Sequence, residues 1–237
     1  MLDAAVFPRD KVCAGWITPQ VVTSLDLDVD EYRKGRTFQP ISGFRVGLIG
    51  GGDDTETNDG RQVSFGIRRC EFDHYLLERS GARVNAGTPV TSLRRDGDHW
   101  IVNESIRTPL VIGAGGHFCP VARAVNGPMT APGVSVVAAQ EAEFLVDSAD
   151  CRVSGEAPEL YFCRDFKGYG WCFRREIPEH WPGPSGSQIP AQGDGRLSRL
   201  SDRLRPVARV RSLPDGAGTR MPSTTRRTAA WSIPAWS

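Results

Sequence analysis

The sequence predicts an α/β or α+β chain whose regular structure ends near residue 176. Three observations carry that expectation. Short β-rich runs alternate with one clearly patterned helix, EFDHYLLERSG. One apolar run, LVIG, leads straight into the small residues Gly113 to Gly116. From Ile177 to Ser237 no apolar period persists, Arg replaces Lys completely, and Pro, Ser and Gly recur, so this tail is expected to be disordered.

The elements follow in order. VFPRDKVCAGWITPQVV mixes Pro, Gly and charge and reads as a loop leading into a short helix at Pro19 to Leu25. ISGFRVGLIGG and RQVSFGIRR are β-rich runs on either side of the hydrophilic GGDDTETNDGR, which predicts an antiparallel hairpin. Phe72, Tyr75, Leu76 and Leu77 recur at helical spacing, and Gly81 marks the helix end. A strand, ARVNAG, is expected next. In VTSLRRDGDHWIVN, Asp-Gly-Asp turns one strand into another. LVIGAGG reads as a buried strand entering a glycine turn. SVVAAQEAEFLV and ELYFCRDFKGYGWCFR add strands, the second folding back near Asp165 to Gly168.

The 237 residues suffice for one large domain or two small ones. Charge is divided unevenly. Met1 to Phe173 holds 18 basic and 23 acidic residues, net −5, whereas Arg174 to Ser237 holds 11 Arg and 5 acids, net +6; together they give the formal +1. Scattered Arg without interleaved aromatics predicts no nucleic-acid partner. The sequence has no apolar run of ~18 residues and no apolar core behind a basic start, so a cytoplasmic chain without a transmembrane segment is expected. Its six cysteines form no CxxC pair or Cys/His cluster and read as reduced thiols without a metal. Cys163 and Cys172 are placed to face each other across the last hairpin.

Four motifs, taken together and in this order, resemble the geranylgeranyl reductase family of FAD-dependent oxidoreductases. LDAAVFPRDKVCAG is similar to the segment in which an acid ends the second strand of the dinucleotide fold and a PRxKxCGG-like loop follows; Asp3 matches the acid, and Arg9, Lys11, Cys13 and Gly15 match the loop. Ala14 stands where the family has Gly. IRRCEFDHYLL is similar to an RxxFDxxL helix beside the flavin, with Arg69 as its guanidinium. LVIGAGGHFCPVAR is similar to the VGADGxxSxVR turn against the pyrophosphate, with Gly115 in place of the usual Asp. GYGWCF resembles the YxWxFP motif whose aromatics line a lipid pocket, with Arg174 in place of the proline.

The resemblance implies a partial FAD-binding, Rossmann-like domain over residues 1–150 with an inserted hairpin at about 41–70, a substrate-domain hairpin over 151–176, and the tail. It implies FAD as cofactor, held by Asp3, Arg9, Arg69, Gly113, Ala114, Gly115 and Gly116, and an apolar or prenyl substrate beside Tyr169, Trp171 and Phe173. Reduced nicotinamide or another donor would supply electrons. The implied reaction is reduction of a carbon–carbon double bond; a flavin monooxygenase or halogenase relative and a non-catalytic fragment are the alternatives. No catalytic residue is assigned, His117 included. The family's opening GxGxxG does not precede Asp3 and its closing GDAAG-like turn is absent, so an N-terminally truncated piece is expected. Shifted by one nucleotide, the codons of Pro178 to Pro184 can encode Leu-Asn-Ile-Gly-Leu-Gly-Arg, which resembles the family's next strand. A frameshift after about residue 175 is therefore expected, and the DNA sequence of the locus decides it.

Overall fold

The computed structural model describes residues 1–11, 13–52, 54–127, 153–166 and 168–176 in full, and the backbone of 139–146 and 227–234. The chain divides into two units, one formed by Met1–Arg9 with Leu77–Val137 and the other by Asp10–Leu76 with Ala138–Ser237. Segment 10–76 thus groups with the strands after 138.

In the first unit, β6 (Leu93–Asp96), β7 (His99–Val102) and β8 (Ile106–Thr108) form an antiparallel meander. Asp96 pairs with His99, so Gly97 and Asp98 make the tight turn the sequence predicts, with Gly97 at φ +58. The strand expected at ARVNAG is reduced to one parallel bridge, Leu2 to Asn85, reinforced by Asp3 N–H donating to Asn85 O at 3.2 Å. The buried strand expected at LVIG does not form. Leu110 and Ile112 are 69% and 81% exposed, because no strand among the described residues pairs with this segment and an extended run without a ladder has nothing to bury against. The chain continues through a 3₁₀ turn, Gly116–Phe118, into α4 (Pro120–Asn126), which starts on proline, where a missing N–H costs nothing.

The second unit carries two sheets. The smaller orders β1 (Trp16–Ile17), β5 (Ser64–Ile67) and β2 (Phe38–Ile41), all antiparallel. The larger orders β4 (Thr55–Asn58), β3 (Gly43–Leu48), β10 (Glu159–Phe162), β11 (Tyr169–Glu176), β12 (Arg227–Pro234) and β9 (Ala139–Val146). The expected hairpin between ISGFRVGLIGG and RQVSFGIRR is absent. β3 instead pairs with β4, which lies inside the hydrophilic stretch read as loop, while β5 belongs to the other sheet. The β-branched Thr57 explains part of this: its hydroxyl bonds both the N–H and the C=O of Phe44, fixing an exposed edge strand that polarity alone hides. The hairpin of β10 and β11 is as expected, but Cys172 sits opposite Glu159, and Cys163 N–H bonds Gly168 O, so the two cysteines do not face each other. Cys13, Cys70, Cys119, Cys163 and Cys172 are all free thiols. In the tail expected to be disordered, the structure places one strand, β12, where RTAAWSIP supplies enough β-forming residues to pair with β11 and β9. Residues 177–226 and 235–237 lie outside those described.

Three helices complete this unit. α1 (Pro19–Ser24) is the short helix expected at Pro19. α2 (Val29–Tyr32) is capped by Asp28, whose carboxylate accepts from Glu31 N–H at 2.9 Å. α3 (Arg69–Arg79) begins in this unit with Glu71 in its first turn and ends with Arg79 in its last, both favourable to the helix dipole. Phe72 and Tyr75 of α3 meet Tyr32 edge-on at centroid distances of 5.6 and 5.0 Å, and Leu27 and Ile67 close the cluster. This core anchors α3 against β5 and thereby fixes Arg69.

Candidate functional site

Asp3, Arg9 and the turn Gly113 to Gly116 belong to the first unit, and Arg69, Tyr169, Trp171 and Phe173 to the second. Each group has its own local construction.

Asp3 follows the isolated parallel bridge at Leu2. Its Oδ1 accepts from Ala5 N–H at 2.8 Å, and Oδ2 accepts no hydrogen bond among the described residues, so the carboxylate keeps acceptor capacity for a diol. Arg9 lies over the Phe7 ring at 5.0 Å. The glycine turn is solvent-exposed from Ile112 to Phe118. Its glycines serve the turn's own packing first: a side chain on Gly113 would meet Val121 Cβ at 2.8 Å and Cys119 Sγ at 2.9 Å. Cys119 Sγ closes no cap hydrogen bond, yet the amides of Ala122, Gly115 and Val121 point toward it and hold its thiol below the ordinary range. Those N–H groups face a sulfur of the chain itself. Gly116, at φ +71, is the residue with open space at its Cβ position. His117 stands edge-on to Phe118 at 4.8 Å and meets no described acid.

Arg69 is tied to its own helix. Nε and Nη2 donate to the two oxygens of Asp73, four residues on, at 2.7 and 3.0 Å, and this pairing, with Cys13 nearby, raises the arginine pKa further. Cys13 Sγ in turn accepts from Gly15 N–H at 3.4 Å. The resemblance-based matches Cys13, Gly15 and Arg69 are therefore brought together. Asp73 and Cys13 both engage the guanidinium, so an anion would meet only the donors they leave.

The aromatic motif lies on one strand. On β11, Tyr169, Trp171 and Phe173 project to one face, as strand alternation requires. Tyr169 is 46% exposed and Phe173 fully buried, so the stripe runs from an open end to a closed one. Phe162 on β10 lies opposite Tyr169 with centroids 5.9 Å apart, Tyr169 is 5.6 Å from Trp171, and Trp16 packs edge-on to Phe173 and Phe44 at 5.7 and 5.5 Å. The indole N–H groups of Trp16 and Trp171 are buried and donate to no described residue. Sequence reading missed Trp16, Phe44 and Phe162 as members of this face; the alternation of FxVxL in β3 was the available signal.

The opposite face of the same sheet is polar. Tyr161 OH reaches Asp54 Oδ2 at 3.2 Å and Glu159 Oε2 at 3.4 Å, and Arg45 Nη1 lies 3.6 Å from Glu159. Burial, which outweighs Arg45, raises the Glu159 carboxyl above its ordinary value. A carboxyl so shifted favours the folded state most while protonated, so its contribution is fully present below the unfolded pKa and is lost as pH rises through the folded one. Glu159→Gln is expected to gain stability relative to the parent as pH rises from about 4.5. Urea midpoints across pH 4 to 7.5 measure this, and a constant difference contradicts it.

Each unit by itself offers groups of the kind that hold FAD: the first has Asp3, with acceptor capacity left for a ribose, and the exposed turn at Gly115 and Gly116, and the second has the Arg69 guanidinium. Among the described residues no helix is long and apolar enough to cross a membrane, and no group of three or more His, Cys, Asp or Glu stands close enough to hold a metal.

No protein-family model matches the chain, and no curated protein matches it. Solved structures do. A geranylgeranyl bacteriochlorophyll reductase-like protein from Thermoplasma acidophilum is 16% identical with a TM-score of 0.55, over 73% of this chain and 46% of that one. PqsL, a probable FAD-dependent monooxygenase from Pseudomonas aeruginosa, is 15% identical with a TM-score of 0.55, over 98% and 53%. The halogenase PltM, solved with phloroglucinol and FAD, is 13% identical with a TM-score of 0.56, over 98% and 46%. The chain spans about half the length of these structures. Its mixed helix and sheet fold is similar to that of these three structures.

Proposed function

We propose that the chain is the substrate-sheet portion, with part of the cofactor-binding portion, of a flavin-dependent oxidoreductase that acts on an apolar substrate. The observation that carries this reading is the aromatic stripe Tyr169, Trp171 and Phe173 on one face of β11, open at Tyr169, within that fold. The finer reading is reduction of a carbon–carbon double bond in a prenyl chain. FAD, once bound, supplies the hydride. The roles are assigned unit by unit: in the first, Asp3 accepts ribose hydroxyls, Arg9 faces phosphate, and the turn Gly113 to Gly116 offers backbone to the cofactor at its open residue, Gly116; in the second, Arg69 faces phosphate or ring and the aromatic face holds the substrate away from water. A second reading, flavin-dependent monooxygenation or halogenation, has equal support from the fold, to which the structures of PqsL and PltM are similar. A fragment without catalysis is the third.

The test is a titration of the purified chain with FAD, followed by anaerobic reduction and incubation with a geranylgeranyl substrate. A bound flavin spectrum and a product two hydrogens heavier are expected. Product gained only in air, carrying oxygen, or only with halide, favours the second reading. Absence of any flavin uptake overturns the enzyme reading for this chain and leaves the fragment.

A further inference from the structure

The aromatic strand does not end at Phe173. Two residues on, and on the same face, stands Arg175, 1% exposed. Its Nη1 donates to Ile67 O at 3.0 Å and to Ala14 O at 3.4 Å, and its guanidinium lies 5.7 Å from the centroid of the Phe173 ring. Burying a guanidinium is costly unless its donors are engaged, and here carbonyls from two separate segments converge on Nη1, while Nε donates to no described residue. Both segments approach it closely. Ile67 N–H donates to Gly15 O at 2.7 Å, and the space where a Cβ on Gly15 would stand is taken by Ile67 O and Arg175 Nη1. At Gly66 the missing side chain leaves room for the Phe173 ring. The end of the N-terminal loop, the end of β5 and the aromatic strand therefore meet at one charged group.

We infer that Arg175 is a positioning residue that locks the Cys13 to Gly15 turn and the end of β5 to the aromatic strand. The turn and the Tyr169, Trp171 and Phe173 stripe then keep one fixed relation. This gives a physical use to the departure from the family motif at the preceding position. Arg174 in place of proline lets the strand pair onward with β12, and Gln39 Nε2 donates to Arg174 O at 2.9 Å, so β11 continues far enough to deliver Arg175 into the junction. An apolar side chain of similar length fills the volume but leaves the Ala14 and Ile67 carbonyls without their donor. The lock itself stands on geometry; its consequence for flavin rests on the proposed reading of Arg69, whose guanidinium meets Cys13 of this turn, as cofactor-facing.

The experiment uses the full chain with R175M and R175K, followed by hydrogen exchange and by FAD titration. R175M is expected to raise amide exchange of Gly15 and Ile67 by roughly tenfold or more while the α3 and β6–β7 amides stay at parent rates, because a hydrogen bond from a charged donor is lost at one place. FAD affinity falls in parallel by about tenfold. R175K, which keeps charge and donors, restores at least part of both. Exchange that rises equally in all segments shows a general structural role and overturns the inference, as does unchanged exchange at Gly15 and Ile67. Should R175M not fold, R175K decides: local exchange intermediate between protected and open supports the lock, and unchanged or uniformly raised exchange sinks it. If the parent chain takes up no FAD, the cofactor reading fails while the exchange arm still decides the lock.

Discussion

Phe173→Ala is expected to destabilise the second unit by ~3–5 kcal/mol, the usual cost of removing a fully buried phenyl ring. Phe173 is not exposed at all, and three kinds of neighbour depend on it. Trp16 meets it edge-on at 5.7 Å, Arg175 lies over its ring, and the chain approaches it at Gly66 without a side chain between. Deleting the ring leaves a cavity bordered by a tryptophan and a buried guanidinium, neither of which can collapse into it without breaking the contacts of β1 or of the Arg175 carbonyls. A domain of this size has ~5–15 kcal/mol in all, so the variant stands near the threshold of folding. Thermal or urea unfolding monitored through tryptophan fluorescence measures the loss. A change of less than about 1 kcal/mol contradicts the packing described. Tyr169→Ala, at the open end of the same stripe, provides the contrast, since half-exposed rings lose less.

The difference between those two positions shows what the sequence displays and what it withholds. Alternation in GYGWCF is local, so the shared face of Tyr169, Trp171 and Phe173 can be read from spacing. How deeply each ring is buried depends on Trp16 and Gly66, more than a hundred residues away in sequence, and periodicity carries no information about them. The same division explains the other outcomes. α3, the Gly97 turn and the β10–β11 hairpin are specified by neighbours in sequence and were legible. The pairing of β3 with β4 and its parallel pairing with β10 depend on long-range partners, and β4 reads as loop because its side chains face solvent on both sides. LVIG looks buried because its residues are apolar, yet burial is a property of the neighbour, and no described strand lies beside Leu110 and Ile112. At the candidate site the residue types were legible and their commitments were not. Arg69 reads as an anion-facing arginine, whereas the i, i+4 spacing of the helix commits it to Asp73. Gly113 reads as a place for phosphate to approach, and the structure gives that space to Val121 and Cys119.

Gly15→Ala separates the two meanings a motif glycine can have. At φ +70 the position lies in the left-handed region, where a side chain costs ~1–2 kcal/mol on backbone grounds alone. The added methyl would also enter space held by Ile67 O and Arg175 Nη1, and overpacking of that kind adds ~1–3 kcal/mol. A total of about 3 kcal/mol is therefore expected for the second unit, measured by urea unfolding, whether or not flavin is present. If Gly15 were there only so that a cofactor could approach the backbone, the alanine variant would keep the stability of the parent and lose affinity alone. The two outcomes are distinct because the obstruction is internal: the Ile67 carbonyl that Gly15 must clear belongs to the same residue whose N–H bonds Gly15 O. Rotating the turn away to relieve the methyl breaks that bond as well, so the chain has no inexpensive way to accommodate it. Ala14, one residue earlier, already shows how narrowly the constraint falls. It tolerates a side chain where the resemblance expects glycine, and its carbonyl still accepts from Arg175 at 3.4 Å.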